Sequence, residues 1–326
     1  PEIASRVLGT LCALGTLYVV FRAMERALER PSPWAAVPAL LLACSSGFAC
    51  WTSGGLETQL FTLLCVVAID AVVAADRDPK AMRRAGIALA FAAMTRPEGA
   101  LVAAVLGAVR LALVRGRITR SDLVAAAVFL GIWAPWYAWR WHYYGYAFPN
   151  TYYVKATGPW ARPDMAAQMR DNGLYYIWSW ARQTRVVYAL PLVGLGFVAG
   201  PRSPRFARAL LCGALAAVYR VYAVTVGGDF MGLHRFIMPV FVCAAVLVVL
   251  GLEWACARAG SMRWIAIAAP AIVVLAFAAT QLALTIDSTR SCAGKPCPND
   301  HGIDTPAYLM IYTADRAAIG KAMSGC

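Results

Sequence analysis

Four short polar runs interrupt an otherwise apolar chain, and together they hold most of the side chains able to do acid–base or ionic chemistry. GGLET (54–58) offers Glu57, TRPEG (95–99) offers Arg96 and Glu98, and GGDFMGLHRF (227–236) offers Asp229, His234 and Arg235. The longest, HYYGYAFPNTYYVKATG (142–158), offers His142, Asn150, Tyr152, Tyr153 and Lys155. A carboxylate takes a proton from an attacking hydroxyl, and cationic donors stabilise a phosphate as it departs. Lys155 suits a phosphate oxygen as a point charge, and His234 with Arg235 adds donors. Gly227 and Gly228 let backbone approach a ligand closely. Each run also has a plainer reading. Glu57 is a charge favoured by a helix N-terminus, Arg96 and Glu98 are a pair across a proline turn, and GGDFMGLHRF is a hairpin turn with snorkelling charges.

These residues must be positioned by helices in lipid. Of 326 residues, 60% are apolar and only 14% charged, beyond the range of soluble domains. The apolar runs predict an all-α polytopic membrane protein with about ten crossings: 5–24, 34–51, 57–75, 85–95, 99–114, 122–141, 186–200, 207–226, 235–256 and 264–286. Runs 85–95 and 99–114 read as a helical hairpin turning at TRPEG, where Pro97 cannot donate a backbone hydrogen bond. Neither internal repeats nor broken helices are visible. Between the sixth and seventh crossings lies a large outer loop in which 164–183 reads as an interfacial amphipathic helix. Residues 1–286 form the transmembrane module, and 287–326 begin an outer C-terminal domain.

Charge sets the orientation. The loops 22–33, 76–84, 115–121, 201–208 and 257–263 hold 15 Lys and Arg in 43 residues, which places them in the cytoplasm. The net charge of +13 is therefore a topological signal, and no nucleic-acid partner is expected. The four polar runs and all three histidines fall on the outer, periplasmic side. Ionisable groups at helix ends usually face a watery cavity there. No Walker A loop, dinucleotide-binding glycine fingerprint, GxSxG elbow or HExxH pair occurs, so chemistry is expected outside. Trp and Tyr crowd 133–180 as an interfacial belt, with some rings left to stack on sugars. Seven of the ten cysteines lie in or beside apolar runs, whereas Cys292 and Cys297 suit a disulfide, with free thiols or a metal site as alternatives. The chain starts without Met on the outer side and stops within the helical pattern YTADRAAIGKAM, so it reads as a fragment.

SGGLET, TRPEG, PNTYYVK and GGDFM, in that order on a multi-helix body, resemble the GT-C class of bacterial membrane glycosyltransferases. Within that class the pattern is similar to the group of terminal arabinofuranosyltransferases of the mycobacterial cell wall, over residues 1–286. The resemblance implies a GT-C-type helical bundle in the bacterial inner membrane. It also implies inverting transfer of a sugar, arabinofuranose being one candidate, from a polyprenyl-phosphate donor to a glycan, lipid or protein acceptor outside. In the family the base is an acid in the first outer loop, which here would precede Pro1, leaving Asp229 as the secondary candidate. Lys155, His234, Arg235, Asn150, Tyr152, Tyr153, His142, Glu57, Arg96 and Glu98 are the expected substrate-binding residues. No resident cofactor is implied, and a divalent metal stays open. A transporter or flippase of lipid-linked sugars, or a noncatalytic assembly subunit, are the alternative readings.

Overall fold

The computed structural model describes residues 2–28, 31–149, 153, 165–198, 203–229, 232–258, 263–291 and 306–323, and among them all regular structure is helical. α1 (Glu2–Leu28) has 27 residues, about 40 Å, more than the ~30 Å hydrocarbon slab requires. The next run is not the continuous crossing expected over 34–51. α2 (Val37–Cys44) and α3 (Ser46–Thr52) meet at a 69° bend. Ser45 is extended at the break (ψ 122°), and the Ser46 backbone N–H donates to Gln281 Oε1 at 3.3 Å. A side chain from elsewhere thus satisfies a group that the interrupted helix leaves open.

α4 (Thr58–Ala74), α5 (Ala81–Thr95) and α6 (Glu98–Leu113) follow at the expected places, with 17, 15 and 16 residues. The α5–α6 hairpin turns at Arg96–Pro97 as the sequence predicts. α7 (Arg120–Tyr144) starts with a capping box in which Thr119 and Asp122 satisfy each other's backbone N–H. α8 (Met165–Gln183) is the helix anticipated in the outer loop. After it, Val186–Ala189 forms a 3-10 turn and α9 spans only Leu190–Leu195. Ten helical residues reach about 15 Å, shorter than the full crossing expected over 186–200. α10 (Pro204–Thr225) is capped by the Ser203 hydroxyl, which accepts from Phe206 N–H at 3.1 Å. α11 (Met238–Arg258), α12 (Arg263–Ser291) and α13 (Pro306–Met323) complete the order.

Five helices among the described residues are long and apolar enough to cross a membrane, or six if the bent pair counts as one span. α4, α5, α6 and 186–195 are shorter than a full span, so the expected number near ten is not confirmed among the described residues. Burial orders the bundle: 72% of the α11 span lies inside it, against 6% for α7 and 11% for α12. The outer faces of α1 and α7 carry exposed Leu8, Leu11, Leu123 and Leu130, as helices facing acyl chains do. α5 packs closely on α7, where a Cβ added at Gly86 would sit 2.5 Å from the Ala125 carbonyl oxygen.

The arginine-rich turns gather at one end. Asp70 accepts from Arg26 at 2.7 Å and from Arg208 at 2.9 Å. Arg110 donates to Asp76 at 2.6 Å and to Asp122 at 3.0 Å, and Arg205 pairs with Glu253. These pairs tie α1, α4, α6, α7, α10 and α11 together, so the intervening turns necessarily meet at the opposite end.

Candidate active site

Three turns build that opposite end. In the first, Gly55 (φ +70°) lies so close to α1 that an added Cβ would be 3.1 Å from Ser5 Oγ. Glu57 then occupies the N-cap position of α4, and its side chain is 37% exposed. In the second, Arg96 is extended (φ −144°, ψ 141°) and Glu98 lies in the first turn of α6, where the helix dipole favours a carboxylate.

The Arg96 guanidinium joins these two turns. Its Nε and Nη2 each donate to Glu98 at 3.4 Å, and Nη1 stands 3.8 Å from Glu57 Oε1. Its faces meet rings: Cζ is 4.8 Å from the Phe236 centroid and 5.4 Å from that of Phe61. Arg96 and Glu98 are both buried, whereas Glu57 reaches the surface. Tyr222 stacks beside Phe236 and meets Tyr219 edge to face, ring centroids 5.9 and 6.1 Å away, and Tyr219 packs against Phe61 and Phe236 at 6.5 and 6.0 Å. Burial opposes the charge on Arg96, but the carboxylates of Glu98 and Glu57 outweigh it, so its pKa stands above the usual arginine value and the cation persists at every physiological pH.

In the third turn Gly227 and Gly228 hold φ of +81° and +70°. Gly228 lies against the Tyr176 ring, where an added Cβ would be 2.7 Å away. Asp229 Oδ2 accepts from Arg235 Nε at 2.6 Å, and Arg235 Cζ stands 5.5 Å from the Trp51 centroid. Trp51 Nε1 donates to the Gly232 carbonyl at 3.1 Å. Leu233 and His234 are both left-handed (φ +59° and +55°), a conformation that costs non-glycine residues roughly 1–3 kcal/mol each. α8 holds His234 there. His234 Nε2 is 2.8 Å from Ser179 Oγ, the His234 and Tyr176 rings meet edge to face at 4.9 Å, and Tyr176 Oη accepts from Phe236 N–H at 3.3 Å. Burial, reinforced by the negative Asp229, pushes the Tyr176 phenol well above the ordinary tyrosine value, so it remains neutral.

Glu57, Arg96, Glu98, Asp229, His234 and Arg235 therefore share one end of the bundle, and Phe236 links the two ionic clusters by stacking on Arg96 directly after Arg235 in the chain. Two guanidiniums meet three carboxylates, a surplus of one negative charge. His234 is 2% exposed and faces Ser179 and Tyr176. His142 stands exposed near the end of α7. Tyr153 lies with Tyr146 and Phe148, ring centroids 5.1 and 6.5 Å apart, its hydroxyl accepting from Phe148 N–H. That group borders a cavity of about 200 Å³ lined by Pro97, Trp133, Tyr137, Arg140 and Phe148. Asn150, Tyr152, Lys155, Cys292 and Cys297 lie outside the described residues.

Sequence reasoning missed the frame: Trp51, Phe61, Tyr176, Ser179, Tyr219 and Tyr222. Tyr219 and Tyr222 stand three apart on α10, the spacing of one helix face, and that was the available signal. Arg220, next to them, stands 5.7 Å from the Trp180 ring centroid. Among the described residues no three His, Cys, Asp or Glu side chains converge as a metal site would require.

No protein-family model matches the chain, and no curated protein matches it in sequence. A solved structure does: ArnT from Cupriavidus metallidurans bound to undecaprenyl phosphate, with a TM-score of 0.56 and 18% sequence identity. The match covers 90% of this chain and 53% of that one, so the chain spans about half of ArnT's length. The likeness establishes a shared multi-helix membrane fold.

Proposed function

We propose that this chain is the transmembrane module of a GT-C glycosyltransferase that takes a sugar from a polyprenyl-phosphate donor and passes it to a hydroxyl of a cell-envelope acceptor. The observation that carries the reading is the convergence of Glu57, Arg96, Glu98, Asp229 and Arg235 at one end of a bundle with the fold of ArnT, a GT-C glycosyltransferase. In an inverting displacement the acceptor oxygen bonds to the anomeric carbon as the bond to the phosphate oxygen breaks. The proton goes to a carboxylate and the bonding pair leaves with the phosphate. A site with one carboxylate in excess suits the acceptor half of this reaction.

The leaving phosphate needs positive charge beyond that already engaged by Glu98 and Asp229. Lys155 supplies it in this reading, with Arg235 joining once it releases Asp229. Asn150, Tyr152, Tyr153 and His142 border the donor sugar. Asp229 positions the acceptor and serves as base where the first outer loop supplies none. The arginine-rich end faces the cytoplasm and the site faces the periplasm of the inner membrane. Arabinofuranose is the sugar we favour, and residues 287–326 open a domain that meets the acceptor.

The test is sugar transfer by the complete protein with a synthetic prenyl-phosphate donor, comparing wild type with Lys155→Ala and Asp229→Asn. Both variants fall by at least about 100-fold on this reading; equal turnover in all three abandons it. A carrier of lipid-linked sugars is favoured by one feature, the broken α2–α3 span. It is distinguished by the same protein in vesicles, where a carrier moves donor across the bilayer without consuming it.

A further inference from the structure

At the arginine-rich end, a cavity of about 380 Å³ opens between the α6–α7 turn and the start of α10, lined by Leu113, Arg115, Arg117, Phe206 and Leu210 among others. We propose that it is a binding site for an anionic phospholipid, with the phosphate between Arg115 and Arg117 and the upper acyl chain against Phe206 and Leu210.

The two arginines differ from those that tie the helices together. Arg26, Arg110, Arg205 and Arg208 are each engaged by a carboxylate, and Arg84 stands 3.6 Å from Asp78. Among the described residues no carboxylate pairs with Arg115 or Arg117, and both are exposed. Two adjacent cations without counter-ions repel one another, and an anion from outside removes that cost.

Their backbone is fixed. Arg115 (φ +54°) and Gly116 (φ +75°) are both left-handed. The turn is closed by Arg115 N–H to Ala112 O at 3.0 Å, Gly116 N–H to Leu111 O at 2.8 Å and Arg117 N–H to Val114 O at 3.1 Å. A non-glycine residue held left-handed marks a turn that the surrounding structure over-determines. The cations thus sit on a rigid support.

The opposite wall is apolar. Phe206 and Leu210 stand four apart on one face of α10 and are partly exposed, whereas Ala207, Arg208 and Ala209 between them are buried. The cavity lies at the C-terminal end of α6 and the N-terminal end of α10, both bundle ends. A slot with cations on one side and an aromatic–aliphatic wall on the other, at the level of helix ends, matches a lipid headgroup and its first methylenes. Basic pockets between membrane helices bind anionic headgroups by this chemistry.

The experiment is native mass spectrometry of the full-length protein in detergent, titrated with phosphatidylglycerol and with phosphatidylcholine of the same acyl chains. Phosphatidylglycerol binds preferentially, and Arg115→Gln with Arg117→Gln weakens it about thirty-fold, near one kcal/mol for each arginine removed. Leu210→Ala weakens both lipids alike. Arg83→Gln, exposed at the start of α5, serves as the charge control and changes nothing. Equal binding of the two lipids, or an unaffected double variant, overturns the proposal. Displacement of the lipid by millimolar inorganic phosphate also overturns it, because the cavity is then a site for the free anion. An unchanged thermal midpoint for the double variant verifies folding, which the exposure of both side chains leads one to expect.

Discussion

The two ends of the bundle use the same residue types differently. At the arginine-rich end, Asp70 receives two guanidiniums at 2.7 and 2.9 Å, and Arg110 reaches two carboxylates at 2.6 and 3.0 Å. At the other, Arg235 holds Asp229 at 2.6 Å within a single turn, whereas Arg96, which joins separate turns, meets Glu98 only at 3.4 Å and Glu57 at 3.8 Å, with its faces against Phe61 and Phe236. Short bonds fasten helices. Longer ones leave carboxylate lone pairs available to a hydroxyl, and the ring stacking holds the cation without consuming them. Of the four left-handed non-glycine residues, Leu233 and His234 lie beside the ions, with His234 held by α8, while Arg115 and Arg185 lie in turns elsewhere.

The largest effect expected from breaking this contrast is on activity, and only at one end. Asp229→Asn keeps the shape but removes the charge, and sugar transfer falls by about 10²–10⁴, the range of a lost acid–base group. Asp70→Asn, at the other end, leaves transfer per folded molecule within about two-fold. It instead lowers stability by about 3–5 kcal/mol, because Arg208 loses its buried partner. Parallel measurement of turnover and of thermal midpoint in detergent separates the two; a turnover loss in Asp70→Asn equal to that of Asp229→Asn would erase the distinction between the ends.

Next in size is the tie between Arg96 and Glu98. Arg96→Met leaves Glu98 buried beside Tyr222 without its cation, an arrangement that costs about 3–5 kcal/mol. The double variant Arg96→Met/Glu98→Met recovers most of that stability while transfer stays lost. Recovery of activity in the double variant would assign the pair to scaffolding alone. Smaller again is Gly228→Ala. The added methyl meets the Tyr176 ring in a backbone at φ +70°, so about 1–3 kcal/mol is lost, and the activity of the folded fraction drops because Asp229 follows directly. Gly107→Ala, where an added Cβ has open space, is the neutral comparison.

Much of this was legible in the sequence, and unevenly so. Hydropathy located α1, α4, α10, α11 and α12, and Pro97 marked the α5–α6 hairpin, because a run of apolar residues and a missing donor are local properties. The break at Ser45 was not visible. It is stabilised by Gln281, more than two hundred residues later, and neither position carries a local signal of the other. The segment 186–200 looked like a crossing because composition does not say where a helix stops. Glu57, Arg96, Glu98, Asp229 and Arg235 were found as ionisable residues in an apolar chain. Their neighbour Tyr176 was absorbed into the aromatic belt of 133–180, since a tyrosine in a pocket and one at a headgroup have the same sequence signature, while Tyr219 and Tyr222 passed as part of the apolar crossing 207–226. His234 was expected to face a pocket with Asp229 and Arg235, yet its left-handed backbone carries it inward against Ser179 and Tyr176.

The smallest effect expected belongs to Arg84. Its guanidinium stands 3.6 Å from Asp78 with both side chains more than half exposed, and such pairs contribute between nothing and about 1 kcal/mol. Arg84→Gln therefore leaves both the thermal midpoint and sugar transfer unchanged within error, although it lies at the same end as Asp70. What it alters, on the orientation proposed here, is the charge that retains the α4–α5 turn in the cytoplasm. Replacing Arg83 and Arg84 together, with Arg77 and Lys80, weakens that retention and yields a fraction of inverted chains, detectable by labelling a cysteine placed beside Asp78 from outside the cell. If Arg84→Gln alone destabilises the folded protein as much as Asp70→Asn, the arginines of this end act as one fastened network. The division drawn between exposed topological charges and buried helix ties would then be wrong.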